Sequence, residues 1–146
     1  MEKAMKRVLK MHFRTKIEQG THQESYEFTT TGELFHKGNQ EYLTFKETLS
    51  ETDTVQTTMK WNGSELMLIR QGVIVMRQAF TVGKETYGRY VTPEASWETT
   101  AKTDHILVDW PKVDKMQGRI ELSYQFRLQG QDAGKHRVTI ILEEDK

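Results

Sequence analysis

The C-terminal part of the chain alternates between apolar and polar side chains. Every second residue from position 120 is apolar: Ile120, Leu122, Tyr124, Phe126 and Leu128. The alternation resumes after the glycine-containing segment 130–134. Successive side chains of a β-strand point to opposite faces of the sheet, so the pattern predicts two strands, each with one buried and one solvated face. The short glycine-containing gap between them predicts a β-hairpin.

The same alternation, interrupted by turn residues, runs along most of the 146 residues. The predicted strands span residues 6–18, 24–36, 41–49, 55–61, 65–70, 73–82, 85–92, 99–108, 120–128 and 138–142. Short connections between consecutive strands favour an up-and-down barrel over a two-layer sandwich, and closure removes exposed sheet edges. We therefore expect an all-β fold, a single antiparallel up-and-down β-barrel of about eight to ten strands.

Composition limits the partners that such a barrel could have. Lysine and arginine together number 21, as do aspartate and glutamate, so the formal net charge is zero and gives no overall attraction to nucleic acid or anionic membranes. The chain has no cysteine, no apolar run of the ~20 residues that span a bilayer, and no apolar signal-peptide segment. We expect one cytoplasmic domain over residues 1–146, with residues 1–4 disordered, and no membrane or nucleic-acid partner.

No motif in the sequence specifies a reaction. Ser64 follows a glycine but lacks the GxSxG frame, and Asp104 and His105 are neighbours that point to opposite faces of a strand. The histidines lack metal-ligand spacing. His12 and His136 could meet where the first and last strands pair, but both alternate with charged residues and are expected on the solvated outer face. We expect no catalytic residue, metal or cofactor, and we favour a non-catalytic protein over an enzyme.

Three arginines lie in the most apolar part of the chain, on predicted strands five, six and seven: Arg70, Arg77 and Arg89. If they point inward, they form a cationic patch suited to a carboxylate or phosphate group. The alternative is that they lie outside the barrel or form ion pairs with acidic residues such as Glu47 and Glu98. Strand six is apolar on both faces, so its pattern does not decide which face is interior.

Aromatic residues on predicted strand seven and in the segment that follows it could form the wall of a binding site. Tyr87, Tyr90 and Trp97 are candidates for the mouth of a ligand-binding barrel. The alternative is ordinary core filling, because a small barrel needs large side chains in its interior.

Several short segments in the middle of the chain carry a resemblance to a known family. They are Trp61-Asn62-Gly63, Leu68-Ile69-Arg70-Gln71-Gly72, Met76-Arg77-Gln78-Ala79-Phe80, Gly83-Lys84-Glu85-Thr86 and Tyr90-Val91-Thr92-Pro93. Together they resemble the YwiB-type family of uncharacterised bacterial calycin-like, or lipocalin-like, β-barrel proteins. The resemblance implies a lipocalin-like barrel in the cytoplasm, and it brings no established substrate, cofactor or catalytic residue.

The favoured function is non-catalytic binding of a small apolar or amphipathic anionic ligand inside the barrel. The three arginines would anchor the anionic group, and the three candidate aromatic residues would line the mouth. This prediction is an analogy at the level of the fold, sharpened by side chains. The alternative is a structural or protein-interaction module with a filled barrel, which could be a homodimer, because apolar outer faces on strands five and six would need a cover. An enzyme of unknown reaction has the least support.

Overall fold

The computed structural model describes residues 6–144, which form ten β-strands. The strands are β1 (Arg7–Gln19), β2 (His22–Lys37), β3 (Gln40–Thr48), β4 (Thr54–Trp61), β5 (Glu65–Gly72), β6 (Val75–Thr81), β7 (Glu85–Val91), β8 (Ser96–Asp109), β9 (Gln117–Leu128) and β10 (Gln131–Glu144). The disorder expected for residues 1–4 falls outside the described residues.

Every strand pairs in antiparallel fashion with its neighbours in sequence, and β1 also pairs with β10. That last ladder runs from Leu9 opposite Glu144 to Glu18 opposite Lys135, and it closes the sheet. Closure of ten consecutive strands confirms the predicted all-β, antiparallel up-and-down barrel.

The apolar positions of the alternating strands face the barrel interior. The apolar residues with at most 1% of their surface exposed are Leu9, Met11, Leu43, Val55, Leu66, Phe80, Ala101, Ile120, Ile140 and Leu142. Leu9, Leu43 and Leu142 fill the end of the barrel where β1 begins and β10 ends. Burial of this apolar surface is the main favourable contribution to folding. No disulfide adds to it, because the chain has no cysteine.

Strand β8 is longer than the sequence pattern predicted. The sequence predicts a strand within residues 99–108, after a break at 93–97. The observed β8 begins earlier, at Ser96. A register shift between Thr103 and His105 lies inside the strand. Such a bulge moves the inward-facing positions by one residue and therefore interrupts the period of two on which the prediction depends.

A buried polar cluster lies between β6, β7 and β8. Gln78 is fully buried, and its Oε1 accepts a hydrogen bond of 2.5 Å from the Thr99 hydroxyl. Its Nε2 donates to the carbonyl of Ala79 at 2.9 Å. Gly88 lies opposite Gln78, and a Cβ at this position would be 2.6 Å from Gln78 Oε1. Because Gly88 has no side chain, there is room on β7 for the buried amide group of Gln78.

Strand β2 extends beyond its partner β3. It pairs with β1 from His22 onward, but within the described residues its ladder with β3 begins only at Gly32. Residues 22–31, called here the free β2 edge, therefore have one side without a neighbouring strand. The edge contains no lysine or proline, the residues that commonly protect exposed edges.

The alternation of β3 gives a direct test of the inward face. Leu43→Ala removes a fully buried side chain and should lower the free energy of unfolding by about 2–5 kcal/mol, because a cavity remains. Leu49→Ala, just beyond the strand and 46% exposed, is the matched control and should change it by about 0.5 kcal/mol or less. Urea denaturation measures both, and equal losses would contradict the burial of Leu43 in the barrel interior.

Candidate functional site

A cavity of about 180 Å³ lies inside the barrel, toward the end where β1 ends and β10 begins. Five aromatic rings contribute to its wall: Phe13, Phe28, Phe45, Phe80 and Tyr124. They come from β1, β2, β3, β6 and β9, so only closure of the barrel brings them together. Most of the remaining wall is aliphatic, and the cavity is therefore suited to apolar groups.

The aromatic rings pack against one another around the cavity. Phe13 lies opposite Phe28 in the β1–β2 ladder, and their rings stack with centroids 4.4 Å apart. Phe13 also contacts Phe45 at 5.0 Å, and Phe80 contacts Tyr124 at 4.5 Å. Phe28 is 38% exposed, so the cavity is in contact with solvent on the side of β2.

One charged pair forms part of the cavity wall. Arg70 Nη2 donates to Glu47 Oε2 at 3.2 Å, and both side chains are only 18% exposed. The Thr57 hydroxyl donates to Glu47 Oε1 at 2.5 Å, which holds the carboxylate in place. Arg70 Nε is buried and has no hydrogen-bond partner among the described residues. Buried polar groups in proteins are usually paired, so this donor is an exception.

Tyr124 supplies a second polar group to the same cavity. Tyr124 is only 8% exposed and lines the cavity. Burial raises the pKa of the Tyr124 phenol, although the nearby charge of Arg70 opposes this shift. The hydroxyl is therefore protonated at physiological pH and remains a hydrogen-bond donor.

The structure corrects the expectation that His12 and His136 both lie on the outer face. His12 is outside, 2.9 Å from Glu27, but the His136 ring packs on Tyr124 with centroids 5.1 Å apart. The two histidines do not face each other, because His12 pairs with Ile141 in the β1–β10 ladder. Burial lowers the pKa of the His136 imidazole, although a hydrogen bond to a backbone carbonyl opposes this shift.

The three candidate arginines lie on two different faces of the barrel wall, one on the inner face and two on the outer face. Arg70 lines the cavity. Arg77 and Arg89 lie opposite each other in the β6–β7 ladder, on the outer face, because their neighbour Gln78 occupies the interior. Arg89 also contacts Glu98 at 3.7 Å. The structure therefore brings Arg70 alone to the cavity, in the ion pair that the sequence analysis considered as an alternative.

The three candidate aromatic residues also divide between the two faces. Tyr87 is on the outer surface and highly exposed. Tyr90 and Trp97 are directly opposed on β7 and β8, with ring centroids 5.8 Å apart, and Tyr90 packs against the core. None of the three lines the cavity described above. A binding role for them remains a prediction.

Sequence reasoning did not assign Glu47, Tyr124 and the phenylalanines to a site. The charged pair could have been predicted from the alternation of inward and outward positions along each strand. Glu47 follows Leu43 and Phe45 at alternate positions, and Arg70 similarly follows Leu66 and Leu68. A charged residue that continues an inward apolar row is unusual and points to the interior of the barrel.

The chemistry available in the cavity is recognition by hydrogen bonds and apolar contact. Arg70 and Tyr124 offer N–H and O–H donors, and Glu47 offers acceptor oxygens. Among residues 6–144, no group of three or more His, Cys, Asp or Glu side chains could hold a metal ion. In the same part of the chain, no helix is long and apolar enough to cross a membrane.

The fold and the cavity define a class of small, closed β-barrel with an apolar interior and one charged pair in its wall. The sequence matches the domain of unknown function DUF1934 over residues 11–140, and the chain belongs to this family. It is similar to the uncharacterized β-barrel protein YwiB of Bacillus subtilis strain 168, with 30% identity over 133 residues, 91% of each chain. These matches confirm the resemblance to the YwiB-type family.

A solved structure extends the similarity to three dimensions. The crystal structure of the ywiB protein from Bacillus subtilis superposes with a TM-score of 0.84 and 29% sequence identity. The superposition covers 97% of this chain and 94% of that chain. The barrel architecture is therefore shared over nearly the whole length of both proteins.

Burial of His136 gives a testable pH dependence of stability. The pKa of His136 is lowered in the folded state, so below about pH 6.5 the unfolded chain binds a proton that the folded barrel does not. The free energy of unfolding should therefore fall as the pH decreases from about 7.5 to 5.5. His136→Phe keeps the stack on Tyr124 and should reduce this loss in urea denaturation. An equal loss in both proteins would contradict the burial of His136.

Proposed function

We propose that this protein binds a small apolar or amphipathic molecule in the internal cavity of the barrel, without catalysis. The observation that supports the proposal most strongly is a cavity with aromatic walls that is lined by Tyr124 and by Arg70, whose buried Nε has no partner among the described residues. Protein interiors are normally close-packed and their polar groups paired. A bound molecule would supply both the missing packing and the missing hydrogen bond.

The size of the cavity limits the size of the ligand. Its volume of about 180 Å³ is slightly larger than an engineered apolar cavity of about 150 Å³ that binds benzene. Pockets for drug-sized ligands have volumes of about 300–1,000 Å³. The ligand is therefore the size of one substituted ring or a short branched chain.

The polar end of an amphipathic ligand would be held at Arg70. The anionic group expected from the sequence would have to share this guanidinium with Glu47, which already accepts a hydrogen bond from it. Arg77 and Arg89 lie on the outer face and would not take part. We further propose a cytoplasmic location, which the absence of cysteine supports.

Binding can be followed at two methionine methyl groups. Met59 lines the cavity, whereas Met67 lies on β5 between the inward-facing Leu66 and Leu68 and so faces outward. Toluene should shift the methyl NMR signal of Met59 and leave that of Met67 unchanged, because an apolar ring of this size fits the cavity. Equal shifts of the two signals, or no shift at Met59, would contradict the proposal.

Filling the cavity provides a second test. Leu68→Phe adds volume inside the cavity and should abolish the shift at Met59. Ile69→Phe makes a similar change at the next residue, which faces outward, and should preserve the shift. Loss of toluene binding in the Ile69 variant alone would place the binding site outside the barrel.

A second candidate function, a protein-interaction module that forms a homodimer, is favoured by the free β2 edge. Its unpaired backbone groups can extend a sheet into another chain. If two copies meet in antiparallel orientation with the two-fold axis at Tyr26, the two Tyr26 rings lie opposite each other, and Glu27 of each copy lies opposite Ser25 of the other. Tyr26 is exposed in the described chain, and this aromatic pairing would be favourable.

A lysine on the free β2 edge tests this candidate. Thr29→Lys should convert a dimer to a monomer in light scattering, because a charge on an edge strand disfavours edge-to-edge pairing. Thr100→Lys is the control, since Thr100 lies on β8 with a paired strand on either side. A wild-type protein that is monomeric at high concentration would rule out the homodimer.

A further inference from the structure

We propose that the ligand is an uncharged, compact molecule with a carbonyl-type oxygen, and that Glu47 excludes anions from the cavity. This inference rests on the proposed function and narrows it to a chemical class. It also changes the favoured expectation from the sequence, in which Arg70 anchors an anionic ligand group and the ion pair with Glu47 is only the alternative.

The polar wall of the cavity has donors in excess. Arg70 Nε is buried and has no partner among the described residues, and Tyr124, whose hydroxyl is a donor, lines the same cavity. A carbonyl oxygen has two lone pairs and can accept from both groups. A pure hydrocarbon of the same size would fill the space but accept a hydrogen bond from neither group.

The charge of the cavity wall is already balanced. The Glu47 carboxylate accepts a hydrogen bond from Arg70, and the Thr57 hydroxyl fixes the other carboxylate oxygen. A ligand carboxylate would introduce a second negative charge beside Glu47, within mainly apolar walls. Burial of a charge that lacks its own counter-ion is unfavourable, so a neutral acceptor is preferred to an anion.

Three probes of nearly equal size separate these properties. Acetophenone carries a neutral carbonyl, benzoate an anionic carboxylate, and cumene a hydrocarbon group of the same extent. Calorimetric or NMR titration of the full chain at neutral pH gives the three affinities. We expect acetophenone to bind about tenfold more tightly than benzoate and than cumene, the ratio that corresponds to one lost interaction of moderate strength.

Two variants assign the selectivity to particular groups. Glu47→Gln keeps the shape of the side chain but removes its charge, and should raise the affinity for benzoate about tenfold relative to acetophenone. Glu98→Gln, on the outer face, makes the same change in net charge and should leave this ratio unaltered. Tyr124→Phe should weaken acetophenone binding and leave cumene binding unchanged. The three wild-type affinities test the inference even if a variant does not fold.

The outcomes distinguish failure of the inference from failure of the proposed function. Wild-type protein that binds benzoate more tightly than acetophenone would overturn the neutral class, while binding in the cavity would stand. Cumene and acetophenone of equal affinity would overturn the role of the two donors. If none of the three probes shifts the Met59 methyl signal, both the inference and the proposed function are wrong.

Discussion

Pairing of β1 with β10 is the interaction on which the rest of the structure depends. Once this ladder closes the sheet, alternate residues of all ten strands face one common interior. The position of a residue in this alternation then determines whether it faces the interior or the outer surface. Aliphatic side chains such as Leu9 and Leu43 fill the end where β1 begins. Toward the other end, the inward positions carry flat rings and a charged pair, which leave a cavity between them.

The Arg70–Glu47 pair is the feature of this interior that packing alone does not explain. Two ions removed from water lose hydration, and apolar residues of similar volume are often as stabilising or more so. The pair is also incompletely satisfied, because Arg70 Nε has no partner in the described chain. Recognition of the proposed ligand would give the pair a role that stability does not. In this chain the apolar core would then stabilise the barrel, and the Arg70–Glu47 pair would determine which ligand it selects.

The sequence predicted the barrel because a period of two is imposed directly by strand geometry, and β9 shows it without interruption. It did not predict the orientation of Arg77, because β6 is apolar on both faces and only the closed barrel places Gln78 inside. The prediction that His136 lies on the outer face was wrong for a related reason. The charged residues that alternate with it suggested a solvated face, whereas its ring packs on Tyr124. Of the residues that line the cavity, the sequence singled out only Arg70 as a binding candidate, because the wall is assembled from strands that are distant in sequence, such as β1 and β5.

The most direct test of the apolar cavity inside the barrel is a crystal structure of this protein under xenon pressure, because xenon binds in apolar cavities and gives strong electron density there. We expect a xenon site inside the barrel between Phe45 and Tyr124, with Arg70 and Glu47 still paired in the wall. An interior in which the phenylalanine rings close over this space, with xenon found only on the outer surface, would contradict this expectation.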